Sequence, residues 1–282
     1  MSLTRFGGPL SRKLPETRTF TVEGPAHSLL LEPFRRRVRA VVDDVVVLDT
    51  VDGALLFETG LGPQLYVPEG DVRADLLSPS DTTTHCPFKG DATYRHLTVG
   101  DRTVPDAVWA YPDPKPDTPW LAGLVALPMG AADRWFDEDV EVLGHLPDPY
   151  HRVDLRPTGR RVTVTAPDGS AVASSSSAVL LDETGLDVRF YLPRTDVQAE
   201  LTRTDTTTVC PYKGVSTYWT VSTGGTSVVD GAWSYESPTD ESRGIAELVC
   251  FSDDFTVTVE GPRRPAGTPA GPAPGRRGGR SR

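Results

Sequence analysis

Apolar and polar residues alternate with a period of two along most of the chain, and the alternating runs are short. Residues 37–42 and 45–48 are β-branched runs on either side of Asp43-Asp44, a pattern that predicts a β-hairpin. Residues 54–58 predict a third strand that ends at Thr59-Gly60, and 64–68 a fourth. Pro68 closes the fourth strand because it has no N–H for a ladder. Residues 72–77 suggest one more short strand. Residues 94–99 and 103–111 predict a second hairpin across Gly100-Asp101, a pair that tolerates positive φ. The apolar run 120–127 fits a strand or a short helix, and the acidic segment 131–139 reads as a short surface helix.

The same order of elements then returns. Asp81-Thr82-Thr83-Thr84-His85-Cys86-Pro87-Phe88-Lys89-Gly90-Asp91-Ala92-Thr93-Tyr94 recurs at residues 205–218, with ten of fourteen positions identical at an offset of 124 residues. A repeat of this length in a chain of 282 residues predicts two homologous domains. The fold class expected is mainly β: two tandem units, each a curled antiparallel sheet or an open barrel, with a short helical connector after the first. The expected division is an N-terminal extension at 1–30 with an edge strand at 19–23, a first unit at 31–145, and a second at 146–261. The Pro/Gly/Arg-rich stretch 262–282 has almost nothing to bury and is expected to be a disordered tail.

Charge narrows the partners. Six of the 29 basic residues and none of the 39 acidic ones lie in 262–282, leaving 23 basic against 39 acidic and a net charge of −16 on residues 1–261. A body that acidic repels phosphate backbones and anionic bilayers, so neither nucleic acid nor a membrane surface is expected as partner of the folded part. Three cysteines make no disulfide framework, and neither a signal peptide nor a membrane span is apparent, so a cytoplasmic location is expected.

The residues matched between the units frame the chemistry. Glu58, Cys86, Lys89, Tyr94, Asp106, Trp109 and Tyr111 in the first have Glu183, Cys210, Lys213, Tyr218, Asp230, Trp233 and Tyr235 as counterparts. Two readings stay open. In the functional one, Lys89 activates the Cys86 thiol or itself attacks a carbonyl, with Glu58 as acid/base. Tyr94, Trp109, Tyr111, Lys213, Tyr218 and Trp233 then line pockets for a small-molecule ligand. In the structural one, proline and glycine shape a turn, the cysteine fills space, the lysine head reaches water and the aromatics are core. Thr82, Thr83 and Thr84 then bond neighbouring backbone in that turn. His85 and His96 have Val209 and Thr220 as counterparts, and no paired-ligand spacing exists, so no metal is expected. No cofactor fingerprint is present either.

Glu58-Thr59-Gly60-Leu61, Tyr66-Val67-Pro68, the run from Ser80 to Gly90, the segment from Ala107 to Pro114 and Trp135-Phe136-Asp137-Glu138-Asp139 together resemble the bacterial family catalogued as domain of unknown function 427. The tandem arrangement, with Asp148-Pro149-Tyr150-His151-Arg152-Val153-Asp154 between the copies, is similar to that of actinobacterial members. The resemblance covers about residues 31–260 and implies a mainly β fold. It implies no particular activity. The second unit departs from the pattern at Glu236-Ser237-Pro238 and Val215, which favours the first as the working copy.

Overall fold

The computed structural model describes residues 27–261, which form two compact units dividing between His151 and Arg152. The edge strand expected at 19–23 and the tail expected at 262–282 lie outside the described residues. Both units are mainly β.

The first unit runs β1 (Leu29–Phe34), β2 (Val38–Val42), β3 (Val45–Thr50), β4 (Gly53–Glu58), β5 (Gln64–Pro68), β6 (Leu77–Cys86), β7 (Gly90–Val99), β8 (Arg102–Ala110), β9 (Leu124–Ala126), β10 (Arg134–Asp137) and β11 (Val140–Glu141). Its strands form a seven-stranded sheet in the order β1-β4-β5-β9-β8-β7-β6 and a four-stranded sheet in the order β11-β10-β2-β3. Every pairing is antiparallel, and neither sheet closes into a barrel. The β2–β3 hairpin turns at Asp43 and Asp44, both left-handed at φ 45° and 61°, as the short acidic pair predicts.

Alternation along the strands gives the seven-stranded sheet two different faces. Leu55, Phe57, Leu65, Val67 and Val108 join Val38, Ala40, Val42, Leu48 and Trp135 of the smaller sheet in one buried core. Their neighbours Leu56, Tyr66, Trp109 and Tyr111 point the opposite way and form a separate aromatic cluster with Ala92, Leu121 and Ala126. That second face carries the candidate site.

The acidic segment after β9 is not a helix. Residues 134–137 are strand β10, antiparallel to β2, and Trp135 is inserted into the core with its indole N–H on Met129 O at 2.8 Å. Glu138 and Asp139 form the turn into β11, with Glu138 at φ 53°. The run of acids reflects this exposed turn, not helix periodicity. Residues 72–77 also differ from expectation: a 3-10 turn at Ala74–Leu76 leads straight into β6.

The three threonines lie in a strand rather than in a turn. Strand β6 slips register against β7 between Pro79 and Thr83, and β7 against β8 between Arg95 and Leu97. At the β8 bulge Asp106 is left-handed, φ 51°, and its N–H donates to His96 Nδ1 at 3.0 Å. Its carboxylate accepts from Ser80 Oγ and from Thr82 Oγ1, the latter at 2.9 Å, so one side chain ties both bulges together. Thr84 Oγ1 instead meets the Tyr94 hydroxyl at 2.9 Å. The second unit repeats the device: Asp230, φ 54°, accepts from Thr204 and Thr206 at 2.6 and 2.8 Å.

The Ser80 and Thr82 hydrogen bonds hold the Asp106 carboxyl below the usual aspartate range. A carboxyl depressed in the fold stabilises it above its unfolded value near pH 3.9, and that contribution is lost as pH falls through the depressed folded value. Asp106→Asn, which keeps the tolerance for positive φ, is expected to flatten the acid limb of a melting-temperature profile below about pH 4. A mutant profile parallel to that of the parent chain would remove this role.

The second unit runs β12 (Val153–Thr158), β13 (Val162–Thr165), β14 (Ala171–Ser175), β15 (Ala178–Glu183), β16 (Arg189–Tyr191), β17 (Glu200–Cys210), β18 (Gly214–Thr223), β19 (Thr226–Ser234), β20 (Val249–Phe251) and β21 (Thr256–Val259). These strands form the sheets β12-β15-β16, β14-β13-β21 and β17-β18-β19-β20. A bridge between Leu192 and Val249 links the first of these to the last, where β5 and β9 pair in the first unit. Strand β21 pairs with β13 as β10 pairs with β2, so the second unit ends on the equivalent of β10, and the first adds β11 beyond it.

Candidate functional site

The Cys-Pro-Phe-Lys-Gly run makes the tight connection between β6 and β7, with Cys86 paired opposite Gly90. Gly90 sits at φ 110°, and a Cβ built there would lie 3.2 Å from Asp113 O. The proline-rich loop that follows β8 is thus packed directly against the turn, and Lys115 N–H donates to Lys89 O at 3.1 Å. This arrangement aims Lys89 inward, along the aromatic face of the seven-stranded sheet.

Lys89 ends in a buried ion pair with Glu58, the last residue of β4, and each residue is 7% exposed. The other carboxylate oxygen of Glu58 meets His27 Nε2 at 3.0 Å. The His27 ring stacks on Phe88, with centroids 3.7 Å apart and planes within 6°. The ammonium also lies 5.7 Å from the centre of the Tyr111 ring, within cation–π range. The lysine head therefore does not reach water as the structural reading had it; its charge is balanced internally.

Above this pair is a pocket of about 420 Å³. Glu58, Lys89, Tyr94, Trp109 and Tyr111, spread over more than 50 residues of sequence, all line it. Leu56, Leu61, Gly62, Gln64 and Tyr66 complete the wall. Trp109 Nε1–H donates to the Tyr66 hydroxyl at 3.2 Å, and the two rings meet edge to face with centroids 6.3 Å apart. Burial pushes the Tyr66 phenol up to about 12, against the opposing hydrogen bond from Trp109. Burial raises Tyr111 as well. Both are therefore protonated hydroxyls near neutral pH. Cys86 packs against the same aromatic cluster, half-buried and with its thiol free of any disulfide.

The second-unit candidates lie in the corresponding framework. Lys213 pairs with Glu183, Trp233 Nε1–H donates to the Tyr191 hydroxyl at 3.0 Å, and the Tyr218 hydroxyl meets Thr208 Oγ1 at 3.1 Å. Several positions differ, among them the lining residue Gly62, whose counterpart is Asp187. Arg189 stands at the register of Gln64, with its guanidinium 5.6 Å from the Trp233 ring centre and bound to Asp253 at 2.6 Å. Cys250 replaces Ala126, and complete burial pushes its thiol up to about 12.

Tyr66 and His27 escaped the sequence reading, although the repeat contained both. The Tyr66 counterpart is Tyr191 at an offset of 125, one more than in the Cys-Pro motif, because the units differ by one residue between these segments. His27 precedes β1 by two residues, and His151 precedes β12 by two. Among the described residues no group of three or more metal-type donors is placed to hold an ion. His85 instead pairs with Asp91 at 2.5 Å on the exposed surface. Among the described residues no helix is long and apolar enough to cross a membrane.

Comparison with known proteins returns the same repeat. No curated protein matches the chain. A family model described as domain of unknown function DUF427 matches residues 30–138 and again 154–261, spans that carry the two bulged sheets and both buried Lys–Glu pairs. The chain is thus a DUF427-family protein with two copies of the domain in tandem.

Proposed function

We propose that the first unit binds a small molecule in the pocket bounded by Trp109, Tyr66, Tyr111 and the Lys89–Glu58 pair. The observation that carries this reading is the convergence of five separately singled-out residues on one cavity of about 420 Å³, within the size range of ligand sites. In this reading Lys89 is an ion-paired ammonium that orients a ligand, and its partnership with Glu58 argues against a role as nucleophile. Cys86 supports the aromatic wall from outside the pocket lining. The acidic body favours a ligand that is neither nucleic acid nor membrane. The three free cysteines favour work in the cytoplasm.

Leu61 gives a clean test, because it lines the pocket yet is 52% exposed. Leu61→Trp is expected to fill the mouth without disturbing the core. In a fragment screen read from the assigned Trp109 indole resonance of the full chain, the parent protein is expected to give hits that weaken at least tenfold in Leu61→Trp. Hits that bind both proteins equally, or no hit at Trp109, would refute the reading.

One observation supports a second reading, in which the cluster is purely a scaffold. The Lys–Glu pair, the Trp–Tyr hydrogen bond and the Tyr–Thr contact occur in both units, whereas the pocket position Gln64 becomes Arg189. A shared framework with divergent lining residues also fits a fold element on which binding is superimposed in one copy.

A further inference from the structure

The pocket lining has a hydrogen-bonding polarity that narrows the ligand class, given the binding reading above. Gln64 is fixed in one orientation: both amide protons on Nε2 are taken, by Leu65 O and by Leu127 O, each at 3.0 Å. Two carbonyl partners admit only the NH2 end of the amide, so Oε1 is what Gln64 has left for the pocket. Among the described residues nothing donates to that oxygen.

Facing chemistry comes from the phenols. The Tyr66 hydroxyl accepts from Trp109 and retains its own proton for donation. Among the described residues no protein group hydrogen-bonds the Tyr111 hydroxyl, although Tyr111 lines the cavity. The formal charges in the wall cancel, since Glu58 is bound to Lys89 and no other charged side chain lines the pocket among the described residues. Trp109 and Tyr94 contribute flat aromatic surface.

We infer that the pocket is built for an uncharged planar cyclic amide, whose ring N–H is accepted by Gln64 Oε1, whose carbonyl accepts from the Tyr111 phenol, and whose ring lies against Trp109. The second unit cannot take the same ligand. Arg189 at the Gln64 register offers only donors, and its guanidinium lies over the indole that such a ring would need.

The test is a titration of the full chain with 2-pyridone, N-methyl-2-pyridone and benzoate, followed by the Trp109 indole resonance, in the parent protein and in Tyr111→Phe. Among the described residues the Tyr111 hydroxyl has no protein hydrogen-bond partner, so this variant is expected to keep the parent melting temperature. 2-Pyridone is expected to bind roughly five- to tenfold more tightly than its N-methylated analogue, the value of one neutral hydrogen bond. Tyr111→Phe is expected to weaken 2-pyridone by a similar factor. Equal affinities for the two pyridones, tighter binding of benzoate, or indifference to Tyr111→Phe would each overturn the ligand class while leaving a pocket that binds. Silence of the Trp109 resonance with all three probes would overturn the ligand class, and the fragment screen then decides separately whether the pocket binds anything.

Discussion

Alanine at Gly90 is expected to destabilise the first unit by about 2–5 kcal/mol, combining backbone strain with forced contact against main chain. The φ of 110° is open to glycine and rarely adopted by L side chains, and the new Cβ would stand 3.2 Å from Asp113 O. Backbone carbonyls cannot rotate aside as a flexible side chain can, so the loop carrying Lys115 must shift by a few tenths of an ångström to admit the new Cβ. Two further substitutions calibrate the effect. Gly214→Ala meets the same situation in the second unit, at φ 103° with Ser237 O at 3.3 Å. Gly100→Ala, at φ 56° with nothing within 4 Å, is expected to show strain alone, about 1–2 kcal/mol. Denaturant unfolding of the full chain, followed by probes in each unit, separates the three. If Gly90→Ala cost no more than Gly100→Ala, the close packing of turn and loop would be wrong.

The second large effect is expected at the buried ion pair. Lys89→Met alone leaves the Glu58 carboxylate 7% exposed with its cation gone, and is expected to cost about 3–5 kcal/mol. Glu58→Gln combined with Lys89→Met removes both charges and is expected to recover much of that loss, because a neutral pair of similar volume needs no compensation. The amide can still accept from His27 Nε2, which now meets the carboxylate at 3.0 Å. The coupling in this cycle is the diagnostic quantity. Additive losses would mean that Lys89 and Glu58 do not sense each other. The second unit supplies an internal replicate in Lys213 and Glu183.

These two predictions also show how unevenly the sequence exposes the structure. The hairpin at Asp43-Asp44, the strand closed by Pro68 and the tandem organisation follow from local pattern, because alternation and turn chemistry are short-range. The connector at 134–137 does not, since four acids near an aromatic pair look amphipathic until Trp135 is known to enter the core. Thr82, Thr83 and Thr84 read locally as turn residues, because Asp106, the partner of Thr82, is 24 residues away. The Lys89–Glu58 pair spans 31 residues, and lysine is seldom buried, so nothing local identifies it. Its recurrence is the signal that the repeat offered: every residue of the Lys–Glu, Trp–Tyr and Tyr–Thr contacts has its counterpart in the other copy. What alternation gave directly was the grouping of Trp109 with Tyr111 on one side of a strand.

The two-faced sheet has an evolutionary consequence. Strands β4, β5 and β8 each set a pocket residue beside a core residue, as with Glu58 beside Phe57, Tyr66 beside Val67 and Trp109 beside Val108. Selection can therefore rewrite the outward positions one at a time while inherited stability rests on the inward ones. The two copies differ in just this way: Arg189 stands at the position of Gln64 and Cys250 at that of Ala126, over a framework that holds the same buried charge pair in each.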